Sequence, residues 1–181
     1  MKFSIAIALG TAFLLSLGIP ASASETTCQA EFEIVTDAVH GTLPKGTLLT
    51  GEMTYNEGRA LKMGAETVSY LPDGSITIVA ADGTRIEASL RAIHLVRTPH
   101  FADYASFDAK DVSGDLGGVI EYEDPMLLTL YAPRGSLETF ELPRDTIAWK
   151  ALNKRRDFQV HTPDTMQTLP GEITAFQIRC N

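Results

Sequence analysis

The sequence predicts an all-β domain, an antiparallel barrel or sandwich of about ten short strands whose first and last strands are joined by a disulfide. Runs in which every second residue is apolar alternate with clusters of Gly, Pro, Asn and Asp, and helical periodicity is almost absent. The only two cysteines, Cys28 and Cys180, lie at the start of the first run and one residue before the end of the chain. A bond between them would tie the two ends of the domain together.

Residues 1–23 have the three parts of a secretory signal peptide. Lys2 precedes an apolar run over 3–19, and small residues occupy the −3 and −1 positions of a cut after Ala23. The run is shorter than the ~20 apolar residues that span a bilayer, and no second run approaches that length. We therefore expect this segment to be cleaved, and residues 24–181 to form one soluble β-rich domain without a membrane span. The expected location is extracytoplasmic, periplasmic or secreted, where two cysteines favour a disulfide.

The charge of the chain limits its partners. The formal net charge is −8, and no extended basic stripe is present. Because a phosphate backbone attracts clustered Lys and Arg, this balance argues against nucleic acid. The one basic run, over 150–156, is interpreted as a solvated loop or a local partner contact.

The first half of the domain reads as a meander of adjacent antiparallel strands. Alternation of apolar and polar residues predicts strands at 28–35, 47–55, 66–71, 75–81 and 84–97. Asp82-Gly83 predicts a hairpin turn, because both residues tolerate positive φ angles. A two-residue turn there would set Ile78 opposite Glu87. Either the meander is covered on both faces or a bulge shifts the register, and both alternatives stay open.

The second half begins with the least regular stretch, 99–118, which holds four aspartates and three glycines. It is predicted to be a long surface loop. Residues 151–156 are predicted to form one helical turn. Strands are predicted at 119–123, 126–132, 137–142, 145–149, 158–161 and 173–179, of which 126–132 is apolar enough to be buried on both sides.

The residue patterns of the first and last strands predict the register in which these two strands pair. Cys28 has the same parity as Ala30, Phe32 and Ile34, and Cys180 has the same parity as Thr174, Phe176 and Ile178. Both cysteines are therefore in phase with an apolar face. An antiparallel pair with Cys28 opposite Cys180 sets Phe32 against Phe176, and likewise Ala30 against Ile178 and Ile34 against Thr174. Such an inward-facing bridge would close a barrel or join a sandwich, with roughly 5 kcal/mol of stabilisation on the chain-entropy model.

Local signatures of common catalytic sites are absent from the sequence: G-x-S-x-G, H-E-x-x-H, C-x-x-C and a glycine-rich phosphate loop. The remaining catalytic candidates are His100, at the start of the predicted loop, and the pair Glu121 and Glu123. These two glutamates alternate on one predicted strand face, at a spacing that suits two-carboxylate glycoside cleavage. Glu31 and Glu33 show the same alternation, which a solvated strand face explains.

Three residues are candidates for ligand binding. Tyr122 and Tyr131 could offer contacts to a sugar. His94 lies on an apolar strand face, where a hydrogen-bonded structural role is the favoured interpretation.

The candidates for metal binding are Asp108, Asp111 and Asp115. They supply hard oxygen donors beside Gly114, which permits a sharp turn, but their spacing differs from the calcium-loop pattern. Because turn formation explains these residue types equally well, we expect no metal and no cofactor.

The missing motifs and the predicted fold favour a non-catalytic exported β-domain that binds a small apolar ligand, an envelope component or a protein partner. The alternative is a small β-barrel or sandwich enzyme, a hydrolase or metal-assisted, that uses His100 or the Glu121/Glu123 pair. Convergence of His100, Asp103 and Glu121 on one pocket would favour the enzyme. The oligomeric state is not indicated by the sequence.

Overall fold

The computed structural model describes residues 26–98, 100–163 and 168–181, so the predicted signal peptide, 1–23, lies outside the described residues. The described part forms ten strands and one short helix. In chain order the elements are β1 (Thr27–Thr36), β2 (Leu48–Asn56), β3 (Arg59–Lys62), β4 (Thr67–Leu71), β5 (Gly74–Ala80), β6 (Arg85–Val96), β7 (Ala102–Asp115), β8 (Glu123–Pro133), α1 (Thr146–Trp149), β9 (Arg155–His161) and β10 (Thr168–Cys180).

Eight of the strands close into an antiparallel barrel. Their order is β6-β5-β2-β1-β10-β9-β8-β7, and β7 pairs back onto β6. The other two strands, β3 and β4, form a hairpin that extends the sheet, because β6 pairs with β5 through residues 85–89 and with β4 through 93–96. The all-β prediction is confirmed, and of its two alternatives the barrel is the observed one.

The ends of the chain meet where β1 pairs with β10. Cys28 lies opposite Cys180 with the Cα atoms 4.0 Å apart, and the two form the predicted disulfide. Phe32 faces Phe176 as predicted, with the ring centroids 6.3 Å apart. Both cysteines and both rings lie on the apolar face, so this pairing closes the barrel from the inside.

The predicted register fails at one point, where Ile34 lies opposite Ile173 and not Thr174. The pairing shifts between Glu33 and Ile34 because β10 contributes one extra residue, a β-bulge. The shift keeps Ile173 buried and leaves Thr174 exposed. The bulge reverses the alternation of β10, so that Ile173 and Phe176 are both buried although they differ in parity. The prediction extended the parity of Phe176 to Thr174 and therefore missed the shift.

Large side chains fill the barrel interior. Segment 134–154 folds across the end at which β1 begins and β10 ends, called here the plug end, and brings Trp149 into the core. The Trp149 ring lies 5.4 Å from that of Phe107 and 5.8 Å from that of Phe176, between centroids. Its indole N–H donates to the carbonyl of Pro143 at 2.8 Å, so the polar edge of the ring is satisfied.

The opposite end of the barrel, called here the loop end, is closed by connections 37–47 and 116–122. The backbone N–H of Thr42 donates to the carbonyl of Gly117 at 2.7 Å. Gly41 has φ +54°, and a Cβ there would lie 2.0 Å from the same carbonyl oxygen. This close approach of two loops therefore requires glycine at position 41.

The register of the hairpin between β5 and β6 differs from that of a two-residue turn, but the cause is neither of the two alternatives left by the sequence: the turn is one residue longer. Ala80 N–H donates to the carbonyl of Thr84 at 2.9 Å, which leaves a three-residue loop, 81–83. Ile78 consequently lies opposite Ile86, both buried. The longer loop corrects the register that a two-residue turn would have imposed.

The prediction of a surface loop at 99–118 is wrong, because most of this stretch is β7, the longest of the ten strands. Two of its four aspartates, Asp103 and Asp108, are held by groups distant in the chain. The buried carboxylate of Asp103 accepts a hydrogen bond from the N–H of Leu137 at 2.9 Å, and Asp108 pairs with Arg91. An aspartate that has such partners no longer needs the turn geometry that its residue type suggests.

Several shorter predictions are also wrong. Residues 119–123 are mostly a connection, and β3 was not predicted. The strand predicted at 137–142 is irregular backbone whose leucines cover the plug end, and the helical turn predicted at 151–156 is replaced by a turn leading into β9. The strand predicted at 145–149 is helix α1, which Asp145 caps by accepting from Ala148 N–H at 2.8 Å. No helix in the described ranges has the length and apolar character needed to cross a membrane.

Tyr55 points into the barrel, and its Oη is the one buried side-chain polar atom in the described ranges without a hydrogen-bond partner. Burial, with the charge of Glu57 second, raises the pKa of this phenol far above its usual value. We expect Tyr55→Phe to raise the free energy of unfolding by up to ~1 kcal/mol, because it removes an unsatisfied hydroxyl and leaves the ring.

The matched control is Tyr70→Phe, since the Tyr70 hydroxyl donates to the carbonyl of Phe140 at 2.7 Å. This change should lower the free energy of unfolding by about 1 kcal/mol. Urea titrations followed by circular dichroism measure both. Equal destabilisation by the two variants would show that the Tyr55 hydroxyl has a partner.

Glycines 41 and 46 lie in the same connection and both have positive φ, but a Cβ at Gly46 would meet nothing within 4 Å. We expect Gly46→Ala to cost about 1 kcal/mol of stability from backbone strain alone. Gly41→Ala should cost about 2–4 kcal/mol, because it adds a clash with the Gly117 carbonyl. Thermal unfolding of the two variants tests the difference, and equal losses would contradict the loop contact.

Candidate functional site

A bulge in β6 creates the candidate site. The register between β6 and β7 shifts between Leu90 and Ala92, so Arg91 is the extra residue. Ahead of the bulge Leu90 points inward, and beyond it Ile93 and Leu95 do. His94 is thereby turned to the outer face of the barrel. This explains why both faces of β6 look apolar in the sequence.

A row of polar side chains crosses five strands on that outer face. Directly opposed residues of antiparallel strands share a face, and pairing continues from β4 through β6, β7 and β8 to β9. The residues of this outer row are Ser69, His94, Ser106, Thr129 and Asp157.

Hydrogen bonds join neighbours in the outer row. The Ser69 Oγ lies 2.8 Å from His94 Nδ1, and the hydroxyls of Ser106 and Thr129 are 3.0 Å apart. Ser69, Ser106 and Thr129 are buried, although they point away from the core. Longer side chains lie two residues away along the same strands, Tyr104 and Tyr131 on one side of the row and Asp108 on the other. The strip between them is called here the groove.

An ion pair forms one side of the groove. Asp108, 9% exposed, accepts from the Arg91 guanidinium through both carboxylate oxygens, with Nη2 2.9 Å from Oδ1 and 2.7 Å from Oδ2. The hydrogen bonds to Asp108 raise the pKa of Arg91 further. His94 Nε2 lies 3.7 Å from the same Oδ2. Two chemically different partners therefore meet one carboxylate beside the row.

Two tyrosines form the other side. Tyr104 and Tyr131 are opposed on β7 and β8, with ring centroids 5.6 Å apart. Arg155 lies next to Tyr131, its guanidinium carbon 5.9 Å from the ring centroid, and its Nε donates to Asp157 at 2.7 Å. Burial raises the pKa of Tyr131, the charge of Asp157 adds to the rise, and Arg155 opposes it. Both tyrosines keep part of their surface exposed.

His94 lies between Ser69 and Asp108, with one ring nitrogen near each of them. The three side chains nevertheless do not meet the requirements of a nucleophilic triad. A triad needs a nucleophile open to the substrate and an imidazole oriented by a hydrogen bond to the carboxylate. Here Ser69 is 5% exposed, and the contact of 3.7 Å from imidazole to carboxylate exceeds hydrogen-bond length. The groups open to a bound molecule are the partly exposed His94, Tyr104 and Tyr131.

The predicted catalytic residues are not brought together. His100 is exposed in the connection between β6 and β7, at the plug end, whereas Glu121 is exposed in connection 116–122, at the loop end. The whole of β7 lies between them. Glu123 is the exposed first residue of β8, opposite His161. Asp103 is buried at the start of β7, where its carboxylate holds the N–H of Leu137.

The predicted ligand-binding residues separate into two places. His94 and Tyr131 lie on the same outer face, in and beside the outer row. Tyr122 is at the loop end, where its hydroxyl donates to the Val119 carbonyl at 2.7 Å and lies 3.4 Å from His40 Nε2. Burial raises the pKa of Tyr122 to about 12. Its hydroxyl is therefore committed to holding the connection.

The predicted metal candidates are spread along β7. Asp108 is held by Arg91, Asp111 lies in a bulge at φ 57° with its carboxylate 3.1 Å from Lys110 Nζ, and Asp115 accepts from Gly118 N–H at 2.7 Å. Among the residues with described positions, no group of three or more His, Cys, Asp or Glu side chains could hold a metal ion.

The sequence predictions missed Ser69, Tyr104, Ser106, Thr129 and Asp157. A signal existed for two of them, because Ser106 and Thr129 interrupt runs of apolar residues. A polar residue at the centre of such a run indicates a second, outward face. The others depend on strand pairing across the bulge in β6, which the sequence does not reveal.

We expect Arg91→Gln to lower the free energy of unfolding by about 1–3 kcal/mol, because it leaves the Asp108 carboxylate without its main partner in a buried position. Arg85→Gln is the matched control: Arg85 pairs with Glu87 at 3.3 Å, but both side chains are well exposed. Its effect should stay within about 0.5 kcal/mol. Urea unfolding measures both variants, and equal effects would show that Asp108 finds another partner.

Comparison of the chain with protein-family models, with curated proteins and with solved structures finds no match. The function must therefore be argued from the chemistry of the outer face. Within the described ranges, that face combines a buried polar row, an ion pair and an aromatic pair.

Proposed function

We propose that the protein is an exported, non-catalytic binding domain whose outer row, with the Tyr104–Tyr131 pair, binds a carbohydrate chain of the cell envelope. The observation that carries the proposal is the joining of hydroxyl, imidazole and carboxylate groups to two tyrosine rings across neighbouring strands. Sugars offer apolar C–H faces and many hydroxyls, so a ring beside a polar row complements both.

The filled interior supports a ligand on the outside. Trp149, Phe107 and Phe158 occupy the barrel core with almost no exposed surface. Small barrels of this strand number hold either side chains or one small ligand. Here the side chains take that space, and a binding role falls to the outer surface.

The charges of the groove favour a neutral ligand. Arg91 is paired with Asp108, and Arg155 with Asp157, so each guanidinium at the groove is matched by a carboxylate. The chain as a whole carries a net charge of −8, which would repel an anionic polymer at a distance. A neutral, hydroxyl-rich ligand needs no unpaired guanidinium and is not repelled by the net charge.

The length of the outer row supports an oligosaccharide rather than a single sugar. The row crosses five strands, and neighbouring strands lie about 4.8 Å apart, so it extends over roughly 19 Å. The signal-peptide pattern and the Cys28–Cys180 disulfide support a location where such chains occur.

Residues 24–181 should sediment with purified cell-wall glycan and bind soluble neutral oligosaccharides in calorimetric titrations. Tyr131→Ala and Tyr104→Ala should each weaken binding on the order of tenfold, since each removes a ring contact. Thr129→Val should weaken it less, by losing one hydroxyl. Circular dichroism confirms that each variant is folded.

The matched control is Thr50→Val, because Thr50 is exposed on β2, outside the outer row. It should bind as the unchanged protein does. The proposal would be contradicted if the unchanged protein and the control bound neither the cell-wall glycan nor any of the oligosaccharides. Binding that survives both tyrosine substitutions would contradict it as well.

A further inference from the structure

β3 (Arg59–Lys62) is the edge of the sheet. Barrel closure gives each of the other strands a neighbour on both sides, because β6 and β7 pair. In the described part of the chain, β3 pairs with β4 alone. An unpaired strand edge presents backbone donors and acceptors that can pair with another chain.

The hydrogen bonds of the hairpin identify the backbone groups at this edge. Met63 N–H donates to the Thr67 carbonyl at 2.9 Å, so Met63 faces β4. Residues of an antiparallel strand alternate between bonding the neighbour and facing away, and the β3–β4 register has no shift. Leu61 therefore bonds to β4, whereas Ala60 and Lys62 direct their N–H and C=O groups outward.

The edge is basic in an otherwise acidic protein. Arg59 and Lys62 are exposed, and neither takes part in an ion pair within the described ranges. The nearby carboxylate of Glu57 does not neutralise them, because Arg144 holds it with contacts of 2.8 and 3.1 Å. Met63, 66% exposed, adds an apolar contact at the end of the strand.

These charges select among the chains that could pair with β3. A second copy would bring its own Arg59 and Lys62 to the same seam, and these like charges would repel those of the first copy. An apolar strand would gain nothing from the two cations. An extended segment with acidic residues would pair with both of them.

We propose that β3 binds an extended, acidic segment of a partner protein, which adds to the sheet as one further antiparallel strand. Backbone bonds to Ala60 and Lys62 supply the pairing, and Arg59 and Lys62 supply the selectivity. The short length of β3 and its charges also keep the edge from pairing with the protein's own copies. The backbone edge of β3 lies beyond the outer row, where Leu61 is opposite Ser69. The proposal does not rest on carbohydrate binding.

The test uses two synthetic peptides of equal length, one of Glu-Glu-Val-Val repeats and one of Lys-Lys-Val-Val repeats. Each peptide carries charges on both faces of an extended strand, because Arg59 and Lys62 lie on opposite faces of the sheet. Fluorescence anisotropy measures binding to residues 24–181, and hydrogen exchange follows the amides of Ala60 and Lys62. The acidic peptide should bind and slow exchange at both amides, and the basic peptide should not. Equal binding of the two peptides, or binding of neither, would overturn the proposal.

Two variants locate the contact. Arg59→Glu combined with Lys62→Glu should weaken the acidic peptide about tenfold or more and make the basic peptide the preferred one. Ala60→Pro should abolish binding of the acidic peptide, because it removes an outward N–H but leaves the bonds from β3 to β4. Unchanged binding of the acidic peptide to the charge-reversed protein would show that the site is elsewhere. Tyr131→Ala should bind the acidic peptide normally, which separates this result from that for carbohydrate.

Discussion

The fold depends on the pairing of β1 with β10. Most other pairings join strands that are close in the chain, and they would form an open meander without it. Cys28 and Cys180 make the pairing covalent at the plug end, and Phe32 and Phe176 continue it into the core. With this contact in place, an open sheet with two free edges becomes a closed surface, and among the described strands the one remaining edge lies in the added β3–β4 hairpin.

Closure alone does not decide which side chains face outward. The bulge at Arg91 reverses the alternation of β6 halfway along the strand, so that this one strand supplies Leu90 and Leu95 to the interior and His94 to the outer row. The extra length of β6 also accommodates β4 and with it Ser69. The polar groove and the basic edge of β3 therefore both follow from the length and irregularity of β6.

The sequence is informative where a strand alternates regularly and its partner does the same. β1, β2, β5, the first half of β6 and most of β10 meet this condition, and the parity of two cysteines was enough to set the register of the end strands as far as Glu33. β7 does not meet it, because its aspartates resemble turn formers until Arg91 and the Leu137 amide are seen as their partners. His94 and Tyr131 were identifiable by residue type. Their position on one face depends on a bulge, and bulges leave little trace in residue types.

The position of Trp149 has a practical consequence. It is the only tryptophan of the chain, and it belongs to the segment that covers the plug end, not to a barrel strand. Its indole lies between Phe107 and Phe176 and is shielded from water. Intrinsic fluorescence of this protein therefore reports whether segment 134–154 is seated in the barrel. An emission shift that precedes the loss of β-sheet dichroism would reveal that the plug leaves before the strands separate.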